Sequence, residues 1–459
     1  MILDNYLNTL KGKSITVIGA GISNKPLIEV LLSANIELTI CDKQTRDELG
    51  EAAGYYEKSG ARLELGKSYL DDINADVIFR TPGIMPWKQE ISRAIANGTK
   101  LTSEMETFFS ICPCKIIGIT GSDGKTTTTS IIGQLLKNAG KTAHVGGNIG
   151  VPLLTKVDTI KPDDTVVLEL SSFQLISMRQ SPQIAVVTNL SPNHLDVHKD
   201  MDEYINSKRN IVAYQDKSDK AVLNYDNDYT RNYAEATRAE VVFFSRKEKP
   251  ETGFYLYDNV IYEAIGGQAN EVLDINNIKL PGLHNVENYM AALAAVRGMV
   301  NSEAISKTAR EFNGVAHRIE FVREFNGVKY YNDSIATTPT RAIAALNSFE
   351  NKVILITGGK GKGLSYDEFA KAVALRTKAI ILFGAEAEMI QSAIHNTEEY
   401  NNEIPLLVCS ELSSAVASAT EFAQAGDTVL FSPACTSFDQ YRNFEKRGEH
   451  FKEIVHHEI

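Results

Sequence analysis

Lys115-Ile116-Ile117-Gly118-Ile119-Thr120-Gly121-Ser122-Asp123-Gly124-Lys125-Thr126-Thr127 is the stretch on which the fold of this chain turns. An apolar run enters a glycine-rich turn, and a helical pattern follows from about Thr126 to a stop near Gly140. Strand, turn and helix in that order make a phosphate-type loop. Consecutive backbone N–H groups at such a turn form a concave anion site on the helix N-terminus. Lys125 can reach β- and γ-phosphates, and the Thr126 hydroxyl suits Mg²⁺. The usual GxxxxGK[ST] spacing wants glycine at position 119, where Ile119 stands, and Gly118 comes one residue too early. The loop is a variant, with Gly121, Ser122, Asp123, Gly124, Lys125, Thr126 and Thr127 as its nucleotide-binding candidates. A glycine-rich surface turn without ligand is the plain alternative.

Downstream, strands are expected at Thr165 to Leu170, Ile184 to Thr188 and Ala221 to Asn224. Glu169 stands inside the apolar run Val166-Val167-Leu168-Glu169-Leu170, where an acid is costly to bury without a partner. A carboxylate at the end of a strand beside a phosphate loop offers the hard oxygen that Mg²⁺ requires. Asn193-His194-Leu195-Asp196 follows the next strand. Lys208 lies in a helical stretch from Asp202 to Val212, where taken alone it is an ordinary solvated lysine. Between Val241 and Ile278, short alternating runs and an Asp258-Asn259 turn suggest a small antiparallel piece hung on the α/β core.

Upstream, Ser14 to Ile18 reads as a buried strand, Gly19-Ala20-Gly21 as a turn, and Pro26 to Leu32 as a helix. Ile36 to Cys41 and Asp76 to Phe79 are further strands, which gives a βαβ pattern and a parallel sheet. The turn is a partial dinucleotide fingerprint with Asn24 at the third glycine position. Asp42 lies 21 residues past Gly21, near the ~20 expected of a ribose-binding acid. That fingerprint alone does not choose between NAD, another nucleotide and an empty turn. After Asn313-Gly314 a third alternation begins, with strands at Lys329 to Tyr331, Val353 to Thr357, Ala379 to Phe383, Leu406 to Cys409 and Thr428 to Phe431.

The chain has 459 residues, and at roughly 150 residues per domain that length suggests about three domains. Boundaries near residues 106 and 314 give 1–106, 107–314 and 315–459. With 47 basic against 58 acidic residues the net charge is −11, which argues against a nucleic-acid partner. Cys41, Cys112, Cys114, Cys409 and Cys435 are thinly spread, so no disulfide framework is expected. Cys112-Pro113-Cys114 falls one residue short of a CxxC pair and reads as structural. No basic n-region with an apolar h-region opens the chain, and no apolar run nears the ~18 residues of a membrane span. A soluble, cytoplasmic protein without a membrane partner is expected.

Taken together, ITGSDGKTTTT, GGNIG at 146–150, LELSSFQL at 168–175 and NHLD at 193–196 resemble the ATP-dependent Mur ligase superfamily. Leu283-His284-Asn285-Val286-Glu287-Asn288, Ala316-His317-Arg318-Ile319-Glu320 and Tyr331-Asn332-Asp333-Ser334 extend the resemblance in the right order along the whole chain. The segment Ser432 to Gly448, SPACTSFDQYRNFEKRG, resembles the members that take D-glutamate.

The resemblance implies a three-domain α/β fold. Its parts are a Rossmann-like N-terminal domain, a central P-loop ATPase-like mononucleotide-binding domain and a Rossmann-like C-terminal domain. They would bind the UDP-substrate, ATP and the amino acid respectively. The implied reaction joins D-glutamate to UDP-N-acetylmuramoyl-L-alanine through an acyl-phosphate, a cytoplasmic step of peptidoglycan precursor synthesis performed by a monomer. By the same resemblance Lys125 binds the transferring phosphate, Thr126 and Glu169 hold a first Mg²⁺, and His194 with Lys208 serves a second. Lys208 would do so as a CO₂-derived carbamate. Asn285 and Asn288 would reach adenine, Arg318 phosphate and Asp333 ribose. Gly19, Ile22, Ser23, Asp42 and Thr81 would hold the uridine diphosphate, while Asn148 and Ser171 would touch substrate or phosphate. D-glutamate would meet Thr337, Lys362, Ser437, Phe438 and Phe444. Ile335 stands where relatives often carry lysine, so Lys362 or Lys360 would have to supply that cation. The rival readings are a sister ligase or a folylpolyglutamate synthase with another acceptor, a nicotinamide dehydrogenase, and a non-catalytic nucleotide switch.

Overall fold

The computed structural model describes residues 1–21, 23–149, 152–192, 197–280, 282–400, 403–457 and 459. Contacts divide the chain into two compact units, Met1–Glu311 and Phe312–Ile459. Among the described residues the first unit carries two sheets and the second carries one.

The first sheet runs in the order β3-β2-β1-β4-β5, all parallel, with β1 Ile15–Ile18, β2 Leu38–Asp42, β3 Arg62–Leu65, β4 Val77–Arg80 and β5 Lys100–Thr102. The order reverses between β1 and β4, which is where an open α/β sheet binds ligands at its carboxyl edge. Gly19 and Thr81, the residues after those two strands, flank this point. Strand β2 starts at Leu38 rather than Ile36, because Asn35 turns left-handed (φ 53°) and the Ile36 N–H returns to Leu31 O to close the preceding helix.

The second sheet holds β6 Lys115–Thr120, β7 Ala143–Gly147, β8 Thr165–Glu169, β9 Ile184–Val187, β10 Lys220–Asn224, β11 Glu240–Ser245, β12 Gly253–Tyr257, β13 Val260–Ile265 and β14 Gln268–Asp274. Its order is β14-β13-β12-β11-β10-β9-β6-β8-β7, so β6 sits at the reversal and its carboxyl end opens into the phosphate loop. Residues 241–278 carry the antiparallel piece expected there, as an extension of the central sheet itself. Strand β11 pairs in parallel with β10, and β12 to β14 continue the same sheet, the last two pairs antiparallel. The turn expected at Asp258-Asn259 is there, with φ of 47° and 59°, the left-handed pair a tight hairpin requires. One apolar core serves both sheets of this unit, running from Val17 and Phe79 through Met105 and Phe108 to Ile116 and Leu168.

In the second unit the order is β15-β16-β20-β17-β18-β19, for β15 Glu320–Phe325, β16 Val328–Asn332, β17 Val353–Gly358, β18 Thr377–Phe383, β19 Leu406–Cys409 and β20 Thr428–Phe431. Alternate residues feed opposite cores: Leu355, Ile380 and Leu430 on one face, Ile354, Ile381 and Val429 on the other. Helices therefore cover both faces. The antiparallel edge strand β15 had no counterpart in the sequence reading; its alternation is broken by charged residues and a bulge near Phe321 and Arg323.

Candidate active site

The phosphate loop needs glycine at two places. Gly121 (φ 151°) and Gly124 (φ 77°) both hold positive φ, and a Cβ would meet Thr188 Oγ1 at 1.9 Å in the first case and Asn288 Oδ1 at 2.3 Å in the second. Gly118 serves packing instead, since a Cβ there would meet Pro182 at 2.8 Å. The loop is pinned by its neighbour: Ser122 N–H donates to Asn189 O at 2.8 Å and Asp123 N–H to Asn189 Oδ1 at 3.0 Å. Helix Lys125–Asn138 starts without a side-chain cap, so its first N–H groups remain open to an anion. Lys125 Nζ curls back to Gly121 O (3.0 Å) and Ser122 O (2.8 Å), which holds the ammonium over the loop.

Beside it, Thr126 Oγ1 donates to Glu169 Oε2 at 2.7 Å, and Asn148 Nδ2 donates to Glu169 Oε1 at 2.9 Å. Glu169 is 2% exposed at the end of β8. A hydroxyl and a carboxylate brought together at the loop are hard oxygen donors, so the residues present fit a magnesium nucleotide. Thr128 Oγ1 donates to Asn288 Oδ1 at 3.2 Å, and Asn288 Nδ2 to Asn285 Oδ1 at 3.1 Å, so both asparagines abut the loop helix.

Lys208 is not the solvated lysine its sequence context suggests. It points inward from helix Met201–Ala213, 2% exposed, and Nζ donates to Gly121 O (2.8 Å) and Thr120 Oγ1 (3.1 Å). Burial drives its ammonium far below the ordinary lysine range, and the Lys125 charge adds to that; Glu169 and Asp123 oppose it. Its neighbour Tyr204 shares a hydrogen bond with Ser122 Oγ at 2.9 Å. His194 and Ile22 lie outside the described residues. Ser171 caps helix Ser172–Leu175 and spends its hydroxyl on Gln174 Oε1 at 2.9 Å.

At the first sheet's reversal, Asp42 accepts from Ala20 N–H (2.6 Å) and Gln44 N–H (2.9 Å), so it braces the turn. Asn24 explains the missing third glycine: buried, it donates to Ile18 O (3.1 Å) and Gly19 O (3.0 Å) and holds the turn from within. Gly19 (φ 93°) lies so near Thr81 that a Cβ would meet its methyl at 2.7 Å. Ser23 is exposed.

In the second unit, Asp333 follows β16 and accepts from Ser432 Oγ (2.7 Å) and Ile319 N–H (3.2 Å). Burial pushes its carboxyl up to about 7 against those bonds and the charges of Arg318 and Arg341. Ile319 has φ of 44°, a strained value for a β-branched residue. Arg318 is half-buried beside it. Lys362 Nζ reaches Thr337 Oγ1 at 3.2 Å, while Arg341 donates to Ile335 O at 3.4 Å. The Lys360–Thr436 bridge brings the loop after β17 against the loop that holds Ser437 and Phe438. Ser437 is buried and Phe438 is 67% exposed. Phe444 stands edge-on to His317, with centroids 6.1 Å apart.

Sequence reasoning missed Arg447, wholly buried, which donates to Ser334 O (2.9 Å), Cys435 O (3.0 Å) and Thr436 O (2.9 Å) and so clamps two of these loops. It also missed His198, Tyr204 and Arg80. Only Arg80 carried a signal, a charge that directly ends the apolar run Val77-Ile78-Phe79, akin to the charge within an apolar run that exposed Glu169.

Two family models match the chain. One, described as Mur ligase middle domain, covers residues 119–296, and one described as Mur ligase, glutamate ligase domain, covers 317–435. A protein of Acetivibrio thermocellus named UDP-N-acetylmuramoylalanine–D-glutamate ligase is 47% identical over 457 residues, 99% of this chain and 98% of its own length. One of the same name from Clostridium kluyveri is 47% identical over 454 residues, 98% of each chain. The solved structure of UDP-N-acetylmuramate–alanine ligase from Thermotoga maritima shares the fold at a TM-score of 0.56, with 18% identity over 97% of this chain and 100% of that one.

Proposed function

The chain belongs to the Mur ligase family, and from that premise we infer that it joins D-glutamate to UDP-N-acetylmuramoyl-L-alanine with ATP as the energy source. The full-length likeness to relatives named for that acceptor supports the choice of D-glutamate. The observation that carries the chemistry is the Thr126–Glu169–Asn148 cluster against the phosphate loop.

The substrate carboxylate attacks the γ-phosphorus, ADP leaves, and the amine of D-glutamate then displaces phosphate from the acyl carbon. Phosphoryl transfer of this kind is mostly positioning and charge neutralisation. Open N–H groups at the start of helix Lys125–Asn138 bind the phosphates, and Lys125 holds positive charge against the transferring group. Glu169 and Thr126 would hold Mg²⁺, which when bound supplies further charge neutralisation at the phosphate oxygens. A second metal position, with His194 and Lys208 as ligands, belongs to the same reading. Lys208 enters as its carbamate, because a lysine kept neutral by burial is the form that adds CO₂, and the product is an anionic oxygen donor. Residues 1–106 would take the UDP-sugar at Gly19, Ile22, Ser23, Asp42 and Thr81. The central part, 107–314, takes ATP, with Asn285 and Asn288 near adenine; residues 315–459 offer Arg318 and Asp333 to ATP and Thr337, Lys362, Ser437, Phe438 and Phe444 to D-glutamate. We take the enzyme to act as a monomer in the cytoplasm, where its nucleotide-sugar, ATP and amino-acid substrates would be met; among the described residues no helix is long and apolar enough to cross a membrane.

A panel of acceptors tests the assignment: D-glutamate, L-alanine, a diamino acid, a dipeptide and a folate, each with its matching carboxylate substrate and ATP. Product mass should appear with D-glutamate alone. Turnover of another acceptor in its place would reassign the enzyme within the family.

A further inference from the structure

Arg80 ends β4 and is 1% exposed, yet no carboxylate accepts a hydrogen bond from it among the described residues. One arm of its guanidinium donates to the carbonyls of Thr81 (3.3 Å), Pro82 (3.2 Å) and Ile84 (2.6 Å), which fixes the loop at the first sheet's reversal from beneath. The other arm crosses to the second sheet's side and donates to Phe173 O (2.8 Å) and Ser177 Oγ (3.0 Å). Ser177 in turn donates to Glu106 at 3.4 Å, the one acid whose charge favours the buried cation.

The contacts continue from there to the phosphate loop. The Phe173 ring stacks on buried His198, with centroids 5.1 Å apart and planes 4° off parallel. His198 Nε2 meets Ser172 Oγ at 2.9 Å, and its ring stands edge-on to Tyr204 at 5.4 Å. Tyr204 touches Ser122 through its hydroxyl, and Lys208 Nζ lies 5.0 Å from the centre of its ring. A parallel tie runs along the surface, where Lys199 Nζ sits 4.9 Å over the Trp87 ring. Apart from that surface tie, every link is a short polar or ring contact between buried or half-buried groups, so displacement at one end has little slack to absorb it.

We propose that Arg80 is a positioning residue that locks the UDP-sugar loop, Thr81 to Ile84, in register with the phosphate loop through Phe173, His198 and Tyr204. It rests on the functional reading above and deepens it, since it says how a carboxylate carried on the first sheet meets a phosphate held on the second. Positional errors of this kind fall on the chemical step, where a displacement near 1 Å costs about 100-fold. A guanidinium that only held the fold together would instead lower stability and leave the kinetics of the folded fraction unchanged.

The test compares the full-length wild type with Arg80→Met, Arg80→Lys and Phe173→Leu. Arg80→Lys keeps the charge but cannot span both arms, so a role in charge alone is rescued by it and a bridging role is not. In Arg80→Met and Arg80→Lys, kcat should fall about 100-fold, with KM for ATP and for the UDP-sugar within about threefold. Phe173→Leu, which keeps the carbonyl but loses the stack, should show a smaller loss of the same kind. It also keeps the proposal testable should Arg80→Met fail to fold. A second readout does not depend on the acceptor: in the wild type the UDP-sugar should tighten binding of a non-hydrolysable ATP analogue by about tenfold, and in Arg80→Lys that coupling should vanish. Unchanged kcat with unchanged coupling in Arg80→Lys would overturn the proposal. A wild type that shows the coupling but forms no glutamyl product overturns the functional reading and leaves Arg80 in its role.

Discussion

The amine of Lys208 lies 2.8 Å from the carbonyl oxygen of Gly121, the residue that opens the phosphate loop. A cation buried there faces the Lys125 ammonium and loses hydration, and both effects favour the neutral amine. The neutral amine is the form that adds CO₂, so the proposed carbamate can be tested at this residue.

Lys208→Ala should therefore be nearly inactive, and short carboxylic acids at high concentration should restore part of the ligation by supplying the lost oxygen donor. Lys125→Ala should show no such rescue, because the group it lacks is cationic. Near-normal activity in Lys208→Ala would remove the carbamate from the account.

Lys125→Ala should lower ligation by about 100- to 1000-fold while leaving the UDP-sugar bound. The phosphate loop belongs to the second sheet and the uridine candidates Gly19, Asp42 and Thr81 to the first. Calorimetric titration with the UDP-sugar reads this directly, and lost binding would mean that the first sheet has been assigned wrongly.

Lys362→Ala should raise KM for D-glutamate about tenfold or more and leave ATP binding unchanged. Lys362 meets Thr337 at 3.2 Å, close to Ile335, where the expected lysine is absent. An unchanged KM would leave Arg341, which already reaches the Ile335 carbonyl, as the cation of that loop.

Glu104 offers a test away from the site. Burial pushes its carboxyl up to about 7, opposed only by the Leu154 N–H it accepts at 3.2 Å. Because the folded value lies above the unfolded one, the native state binds the extra proton, and stability falls as pH rises from about 4 to about 7. Glu104→Gln keeps the acceptor and removes the titration. It should be more stable than wild type by on the order of 2 kcal/mol at pH 8, and the gap should close by pH 4. Denaturant melts at the two pH values check the slope.

The phosphate loop, Glu169 and the three α/β alternations were legible because each is a local pattern: an apolar run, a glycine turn, a charge in the wrong place. Lys208 was legible only through resemblance, since its helix looks polar and burial arises from packing on Thr120 and Gly121 far away in sequence. His198 and Arg447 were hidden for the same reason, their partners lying on other elements. In the segment 241–278 the antiparallel pairing and the Asp258-Asn259 turn were legible, but not the parallel joining of β11 and β12 to the central sheet, because alternation shows a half-buried strand but not which edge it joins.

If the substrate carboxylate attacks the γ-phosphorus, one of its oxygens must leave with the phosphate. UDP-N-acetylmuramoyl-L-alanine labelled with ¹⁸O in its carboxylate is incubated with ATP, Mg²⁺ and D-glutamate, and the released phosphate is weighed by mass spectrometry. One ¹⁸O atom is expected in each phosphate, in step with formation of the D-glutamyl product. Unlabelled phosphate, or labelled phosphate formed with another acceptor in place of D-glutamate, would contradict that expectation.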